Sequence, residues 1–148
     1  MEDWHKGTGR IVYDPPRPGL KRKRDWWVVV ELDQGITDYY RWWVNRMLLN
    51  PLGFERKGLQ MPSWGPHMSI IRGEKPWPDK MHLWKKYDGQ QVEFHYDYKV
   101  RQSGDTTGAD RPDNYWFVDA VCPLGTQMRE EFGYKSDWKF HITVGRTY

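Results

Sequence analysis

Several short segments of the chain alternate between apolar and polar residues, which is the pattern of half-buried β-strands. In residues 92–100 every even position is apolar or aromatic and every odd position is polar or charged, so one face of this strand is expected to be buried. Residues 26–32 are mostly aromatic or β-branched, which is typical of a central strand. The same reasoning predicts four further strands, in residues 9–13, 67–71, 115–121 and 140–144.

Helical spacing replaces this alternation in three places. Between residues 38 and 49, aromatic and apolar residues recur every three or four positions, and Thr37 is the expected N-cap. Shorter helices are predicted in residues 79–87 and 126–132, the second of them ended by Gly133.

Strands and helices follow one another at spacings that suit hairpins rather than regular βαβ units. The segments 50–66 and 102–113 are expected to be loops, and neither divides the chain convincingly into two parts. We therefore expect one domain, residues 1–148, of the α+β class, with antiparallel sheet and flanking helices.

Charge, hydropathy and cysteine content exclude some classes of function. The chain has 148 residues and no apolar run approaching the about 20 residues that a membrane helix needs. Its net charge of +3 does not by itself indicate a nucleic-acid partner, although it suits a phosphate-bearing ligand. The single cysteine, Cys122, excludes an internal disulfide and a cysteine-based zinc site. Residues 1–10 are polar and lack a signal-peptide pattern, so a cytoplasmic location is expected.

Aromatic residues make up 16% of the chain, and 10 of them are tryptophans. Each buried tryptophan removes much apolar surface from water, so few aliphatic residues are needed for a core. The same rings can also stack on nucleobases. The tryptophans of the predicted strands and of the first predicted helix are expected in the core: Trp26, Trp27, Trp42, Trp43 and Trp116.

Two segments of the chain repeat one motif. Residues 67–72 (HMSIIR) and 141–146 (HITVGR) each begin His-x-Ser/Thr, continue with an apolar residue and end with an arginine. Residues i and i+2 of a strand share a face, so each segment presents an imidazole beside a hydroxyl while the intervening residues face the core. Strict alternation places the two arginines on the opposite face, unless Gly73 or Gly145 marks a bulge.

Two imidazoles and two hydroxyls on rigid strands can cleave a phosphoester without a metal ion. A neutral imidazole takes a proton from the attacking hydroxyl, and an imidazolium gives one to the leaving oxygen. A histidine pKa of about 6.5 lets both forms exist near neutral pH. The hydroxyls donate to the phosphate oxygens, where charge accumulates in the transition state. The alternative is that both are ordinary sheet histidines with neighbouring hydroxyls.

The paired motifs, 74 positions apart (141 − 67), resemble those of the two-histidine (2H) phosphoesterases. This superfamily includes LigT-like RNA phosphodiesterases and phage enzymes that cleave cyclic oligonucleotide immune signals. The GTGRIV segment, the tryptophan-rich strand and helix and the HMS motif look most like the phage anti-CBASS phosphodiesterases. The resemblance implies two antiparallel lobes, each of which contributes one motif strand to a central cleft.

Carried onto this chain, the resemblance implies that His67 and His141 are the acid and the base, and that Ser69 and Thr143 hold the phosphate. Ser69 departs from the threonine that the family usually has. No metal and no other cofactor is implied. The implied partner is a cyclic oligonucleotide or a short RNA, with no membrane and no stable protein partner. A homodimer or the loop 102–113 would then cover the bound ligand.

Four further residues are candidates for binding the substrate. Trp64 and Trp77 bracket the first motif and are placed to stack on a base, although core packing explains each of them equally well. Tyr13 is a candidate if the N-terminal strand lies next to the motif strands. Lys139 shares a face with His141 by alternation, and its charge would offset that of the phosphate.

Three other interpretations remain open. One is an RNA-processing enzyme that acts on RNA ends or on 2′,3′-cyclic phosphates. Another is a non-catalytic protein that sequesters a nucleotide, although such a protein needs no second histidine. A metal site formed by His95 with Glu93 and Asp97 is the third, but ligands spaced along one strand are splayed too far apart, so a solvated face is expected there.

Overall fold

The computed structural model describes residues 3–16, 25–49, 65–102 and 114–147. Seven strands form the sheet: β1 (His5–Tyr13), β2 (Trp27–Leu32), β3 (His67–Arg72), β4 (Gln91–Tyr96), β5 (Arg101–Gln102), β6 (Asn114–Val121) and β7 (Phe140–Thr147). Helices lie between the strands: α1 (Gln34–Val44), which continues as a π-helical turn (Asn45–Leu49), a 3₁₀ helix (Pro78–Leu83) and α2 (Pro123–Glu131).

The strands pair in the order β4-β1-β2-β3-β7-β6-β5, and all of the pairings described are antiparallel. A further pairing between β4 and β6 closes six of the strands into a barrel. The antiparallel α+β class expected from the sequence is therefore confirmed. The described strands form one closed sheet, however, rather than two separate sheets.

Two junctions in this barrel are much shorter than the others. The ladder between β3 and β7 consists of a single residue pair, Met68 with Ile142, and the ladder between β4 and β6 of two pairs. The ladder between β6 and β7, by contrast, runs from Asn114 to Ala120 along β6. The two motif strands β3 and β7 thus meet at one of the two short junctions of the barrel.

The helices begin earlier than the sequence pattern predicts. The N-cap of α1 is Asp33, whose carboxylate accepts a hydrogen bond from the Gly35 amide at 2.9 Å, and this leaves the expected cap, Thr37, buried inside the helix. Helix α2 begins at Pro123, because a proline in the first turn has no amide hydrogen to lose. It ends before Gly133, which has a positive φ of 76° as expected for a glycine terminator.

The strand predicted over residues 92–100 ends at Tyr96 instead. Val92 and Phe94 are buried as the alternation predicts, but Tyr98 is 62% exposed. The carboxylate of Asp97 accepts a hydrogen bond from the Lys99 amide, a local turn that competes with the ladder. The chain therefore leaves the sheet at this point and returns only at β5.

Helix α2 packs closely on one face of β3 and β7. A Cβ atom at Gly125 would come within 2.7 Å of Ile70 Cδ1 and 3.2 Å of the Phe140 ring, so any larger residue there would require the Ile70 side chain to shift. Met68 and Ile142 are fully buried in the same core. The motif strands β3 and β7 therefore turn this face toward the core.

A charged side chain, Arg129 of α2, lies within this layer and is only 1% exposed. Its guanidinium makes two bonds to the Glu74 carboxylate, at 2.8 and 2.9 Å, and donates to the Ile70 carbonyl at 2.9 Å. Its Nε donates to the Lys135 carbonyl. The buried charge is thus paired and hydrogen-bonded, and it fastens α2 to the end of β3.

The tryptophans expected in the core divide into three groups. Trp27 and Trp116 are buried, Trp26 and Trp43 are half-buried, and Trp42 is 60% exposed. Helical spacing alone did not distinguish a face turned to the core from one turned to solvent. Among the residues that the structure describes, no helix is long and apolar enough to cross a membrane.

Candidate functional site

The two histidine motifs meet across the junction of β3 and β7. Met68 pairs with Ile142 in an antiparallel ladder. The ladder consists of this pair, and His67 and Ser69 flank Met68 just as His141 and Thr143 flank Ile142. All four residues are therefore within one position of the junction, on the face opposite Met68 and Ile142. We call these four residues the quartet.

The quartet occupies the face of the sheet opposite α2. Met68 and Ile142, which alternate with it, are 0% exposed and face the core. His67, Ser69 and Thr143 are half-buried, and His141 is exposed. The alternation predicted for both motifs is confirmed. A rigid backbone thus presents two imidazoles and two hydroxyls toward the same side.

Each histidine of the quartet also has a carboxylate residue beside it. In the ladder between β2 and β3, Glu31 is paired with His67, and in the ladder between β6 and β7, Asp119 is paired with His141. Directly paired residues share a face with their Cβ atoms about 5 Å apart. The two halves of the site are therefore built alike, with one acid for each imidazole.

Sequence reasoning missed both acids, although the sequence carries a signal for them. Residues 27–31 and 115–119 share the pattern aromatic-x-apolar-x-acid, in the strand that pairs with each motif. The pattern becomes informative only once the register is known, because each acid lies far from its histidine in the sequence.

Both motif strands contain a bulge at the same position of the repeat. The register of β3 against β2 shifts between Val28 and Val29, and as a result Ile70 and Ile71 are both buried, breaking the alternation. The register of β7 against β6 shifts in the same way just after Thr143. An extra residue of this kind reverses the faces of everything that follows it.

The bulge in β3 corrects the placement of Arg72. Strict alternation put this arginine on the core side, but after the bulge it pairs with Trp27, and its guanidinium lies 5.4 Å from the centroid of the Trp27 ring. The bulge lies at Ile70 and Ile71 rather than at Gly73. Arg72 therefore joins the quartet face. The side chain of the matching Arg146 lies outside the described part of the molecule.

Trp27 links the arginine to the quartet. Its indole Nε1 donates a hydrogen bond to the Ser69 hydroxyl at 3.0 Å, and its ring meets that of His67 edge to face, with centroids 6.0 Å apart. Trp27 is only 4% exposed, so its orientation is fixed by packing. Because the Ser69 oxygen accepts this bond, its own proton points elsewhere.

The ring of His67 is oriented by the backbone. Its Nδ1 lies 2.9 Å from the Gly65 carbonyl oxygen. A carbonyl only accepts, so Nδ1 carries the hydrogen in this contact. In the neutral ring, Nε2 is then the nitrogen that carries no hydrogen.

The ring of His141 lies among aromatic neighbours. Tyr115 stacks against it with centroids 6.2 Å apart, and Phe117 meets it at 5.5 Å. His141 as a whole residue is exposed, but these two rings shield its imidazole from solvent, and this desolvation lowers the pKa of His141. The Asp119 carboxylate opposes the change, and the Arg72 guanidinium lowers the pKa further. The neutral imidazole is therefore favoured at this position.

The described residues among the remaining candidates for substrate binding have different surroundings. Tyr13 is 6% exposed in the core cluster, packed edge to face against Trp84. Burial raises the pKa of Tyr13 to about 12. Trp77 is 69% exposed at the start of the 3₁₀ helix. Lys139 is exposed just before β7, and Trp64 lies outside the described residues.

The polar face of β4, considered above as a metal site, carries a surface ion pair instead. Glu93 forms an ion pair with Lys6 at 3.1 Å, and both side chains are more than half exposed. Within the described ranges, no group of three histidine, cysteine or acidic side chains is arranged to hold a metal ion.

Comparison of the chain with protein-family models, with curated proteins and with solved structures finds no match. The chemistry of the quartet face must therefore be inferred from its own residues.

Proposed function

We propose that the chain is a metal-independent phosphodiesterase of the two-histidine type, a hydrolase of phosphoric diesters. The observation that carries the proposal is the pairing of Met68 with Ile142. Through this one pair, two motifs that are far apart in the chain present their imidazoles and hydroxyls on one face. A protein that needed only a stable sheet would not require the same constellation twice.

The surroundings of the two imidazoles support different roles for them. Desolvation and the nearby Arg72 favour neutral His141, and a neutral imidazole is what a general base requires. His141 takes the proton of the attacking ribose 2′-hydroxyl or water, and the new O–P bond forms. His67 gives the proton on its Nε2 to the leaving oxygen as the old P–O bond breaks. Ser69 and Thr143 donate to the non-bridging oxygens.

Arg72 adds a positive charge to this face, where the phosphate charge has to be offset. The guanidinium is held against Trp27 at 5.4 Å. Tyr115 and Phe117, next to His141, offer aromatic surface on which a base can stack. These neighbours supply the charge and the stacking surface that a nucleotide ligand uses.

A cyclic oligonucleotide immune signal, cleaved at a 3′–5′ phosphodiester in the cytoplasm, is the substrate we favour. The net charge of +3 supports a compact ligand over a long RNA, since long nucleic acids are bound by more basic surfaces. The short junctions of the barrel are consistent with the two-lobed family fold, because they separate the strands into the groups β4-β1-β2-β3 and β7-β6-β5.

The test is incubation with a panel of cyclic dinucleotides and trinucleotides in the presence of EDTA, followed by chromatography. We expect linear products, and their loss in His67→Ala and His141→Ala. His82→Ala is the matched control, since His82 is an exposed residue of the 3₁₀ helix. Circular dichroism checks that each variant is folded.

Three outcomes would contradict the proposal. Binding of a cyclic nucleotide without cleavage would make the protein a nucleotide-sequestering one. Cleavage only of RNA ends or of 2′,3′-cyclic phosphates would indicate an RNA-processing enzyme instead. Wild-type turnover in either histidine variant would show that the substituted histidine is not the catalytic acid or base.

A further inference from the structure

A cavity lies away from the quartet, where α1 begins. Its volume is about 330 Å³, within the range of small-molecule sites. No residue of the quartet lines it. Its walls come from β1, β4 and the first turns of α1: His5, Asp33, Gly35, Ile36, Tyr39, Tyr40 and Tyr96.

Three tyrosine rings line this cavity, and the Tyr40 ring lies at steep angles to the other two. The rings of Tyr39 and Tyr40 are inclined at 78° with centroids 5.3 Å apart, and those of Tyr40 and Tyr96 at 80° with centroids 6.2 Å apart. The Tyr40 ring is thus nearly perpendicular to each of its two neighbours. Aromatic rings on adjacent walls of a cavity offer several faces to one compact, rounded cation.

The Asp33 carboxylate gives the cavity a negative charge. It caps α1 through Oδ1, which accepts the Gly35 amide hydrogen at 2.9 Å. The N-terminus of a helix carries only about half a positive charge, so the full charge of the carboxylate outweighs it. Among the described residues lining the cavity there is no lysine or arginine, and the one basic side chain is His5. The field there attracts cations and repels phosphates.

Tyr40 and Tyr96 remain uncharged phenols at neutral pH. Burial raises the pKa of Tyr40, whose hydroxyl donates to the Asp97 carbonyl at 2.8 Å. Burial also raises the pKa of Tyr96, and the nearby Asp33 charge adds to the effect. Tyr39 is 57% exposed, which leaves much of its ring open to a ligand. Electron-rich ring faces beside a carboxylate attract alkylammonium groups.

We propose that this cavity binds a small organic cation of the alkylammonium class, held against the faces of Tyr39 and Tyr96 by the Asp33 carboxylate. The site is separate from the quartet. It stands whether or not the protein cleaves phosphodiesters.

The experiment uses choline and its uncharged isostere 3,3-dimethyl-1-butanol, titrated into the full-length protein and followed by NMR. We expect choline to give saturable shifts of the ring signals of Tyr39 and Tyr96, and the alcohol to bind at least tenfold more weakly. Asp33→Asn removes the charge but keeps the helix cap, because asparagine caps as well as aspartate. We expect it to weaken choline binding at least tenfold.

Asp38→Asn is the matched control, because it removes a carboxylate that pairs with Arg41 and does not line the cavity. We expect it to bind choline as the wild type does. Three results would each overturn the proposal: no saturable choline binding at millimolar concentration, equal binding of choline and the alcohol, or undiminished binding by Asp33→Asn. Binding of adenosine in place of choline would assign the cavity to a flat base instead, and would also overturn it.

Discussion

Asp119 lies directly opposite His141 in the ladder between β6 and β7, on the face that carries both histidine motifs. The same carboxylate bonds to the Arg101 guanidinium at 2.8 Å, so it is held in place from the other side. Its charge opposes the lowering of the His141 pKa by desolvation. The protonation state of His141 is therefore set by a balance that single substitutions can shift in either direction.

Asp119→Asn removes the group that raises the pKa of His141. The pKa of His141 is then expected to fall further below its ordinary value, because desolvation and Arg72 continue to lower it. Titration of the ring by NMR measures this directly, without a substrate. If His141 is the base, the acid limb of the activity profile moves to lower pH along with it. Glu93→Gln is the control, because Glu93 belongs to an exposed ion pair on β4 and its loss should leave the His141 titration unchanged. A higher pKa of His141 in the Asp119→Asn variant would contradict the role assigned to Asp119.

Arg72→Met is expected to change the pKa of His141 in the opposite direction. The guanidinium lowers the pKa of His141, so its removal is expected to raise that pKa, moving the acid limb of activity to higher pH. This shift also tests the bulge, because an arginine on the core side of the sheet would not act on His141. Lys75→Met provides the comparison, since Lys75 is an exposed residue beyond the end of β3. An unchanged NMR titration in Arg72→Met would refute the geometry.

The motif strands show how far the sequence alone leads. Alternation predicts correctly that Met68 and Ile142 face the core and that the histidines face the other way, because period-two alternation is local. It does not predict that these two residues pair, since pairing depends on how the whole barrel closes. Which acidic residues lie opposite the histidines depends on that register, so the sequence alone does not identify them.

Two other predictions from the sequence, the position of the β3 bulge and the N-cap of α1, were wrong for local reasons. The bulge at Ile70 and Ile71 is carried by two apolar residues, without the glycine that would have marked it. Thr37 looked like a helix cap because it precedes the aromatic stripe, but Asp33 caps the helix four residues earlier. In both cases two local arrangements were compatible with the sequence, and tertiary packing selected one.

Trp27→Phe keeps a ring against His67 but removes the indole donor to Ser69. A neutral hydrogen bond contributes about 1 kcal/mol, so we expect kcat/KM to fall by roughly five- to tenfold at this buried site. In a Ser69→Ala background the same substitution should have little further effect, because the accepting hydroxyl is already gone. Trp42→Phe, at a 60% exposed position, is the control. Additive losses in the double variant would show that Trp27 acts independently of Ser69.

Arg129→Met tests whether α2 fixes the end of the first motif strand. The substitution leaves Glu74 without its cation and the Ile70 carbonyl without its donor, so unfolding in urea should show a loss of about 3 kcal/mol. Arg101→Met is matched in chemistry, but its ion pair with Asp119 is largely exposed, and there we expect a loss below about 1 kcal/mol. Since Ile70 forms the bulge that redirects Arg72, Arg129→Met should also raise the pKa of His141 toward its value in Arg72→Met. Equal stability losses in the two arginine variants would mean that the buried pair does not anchor the strand.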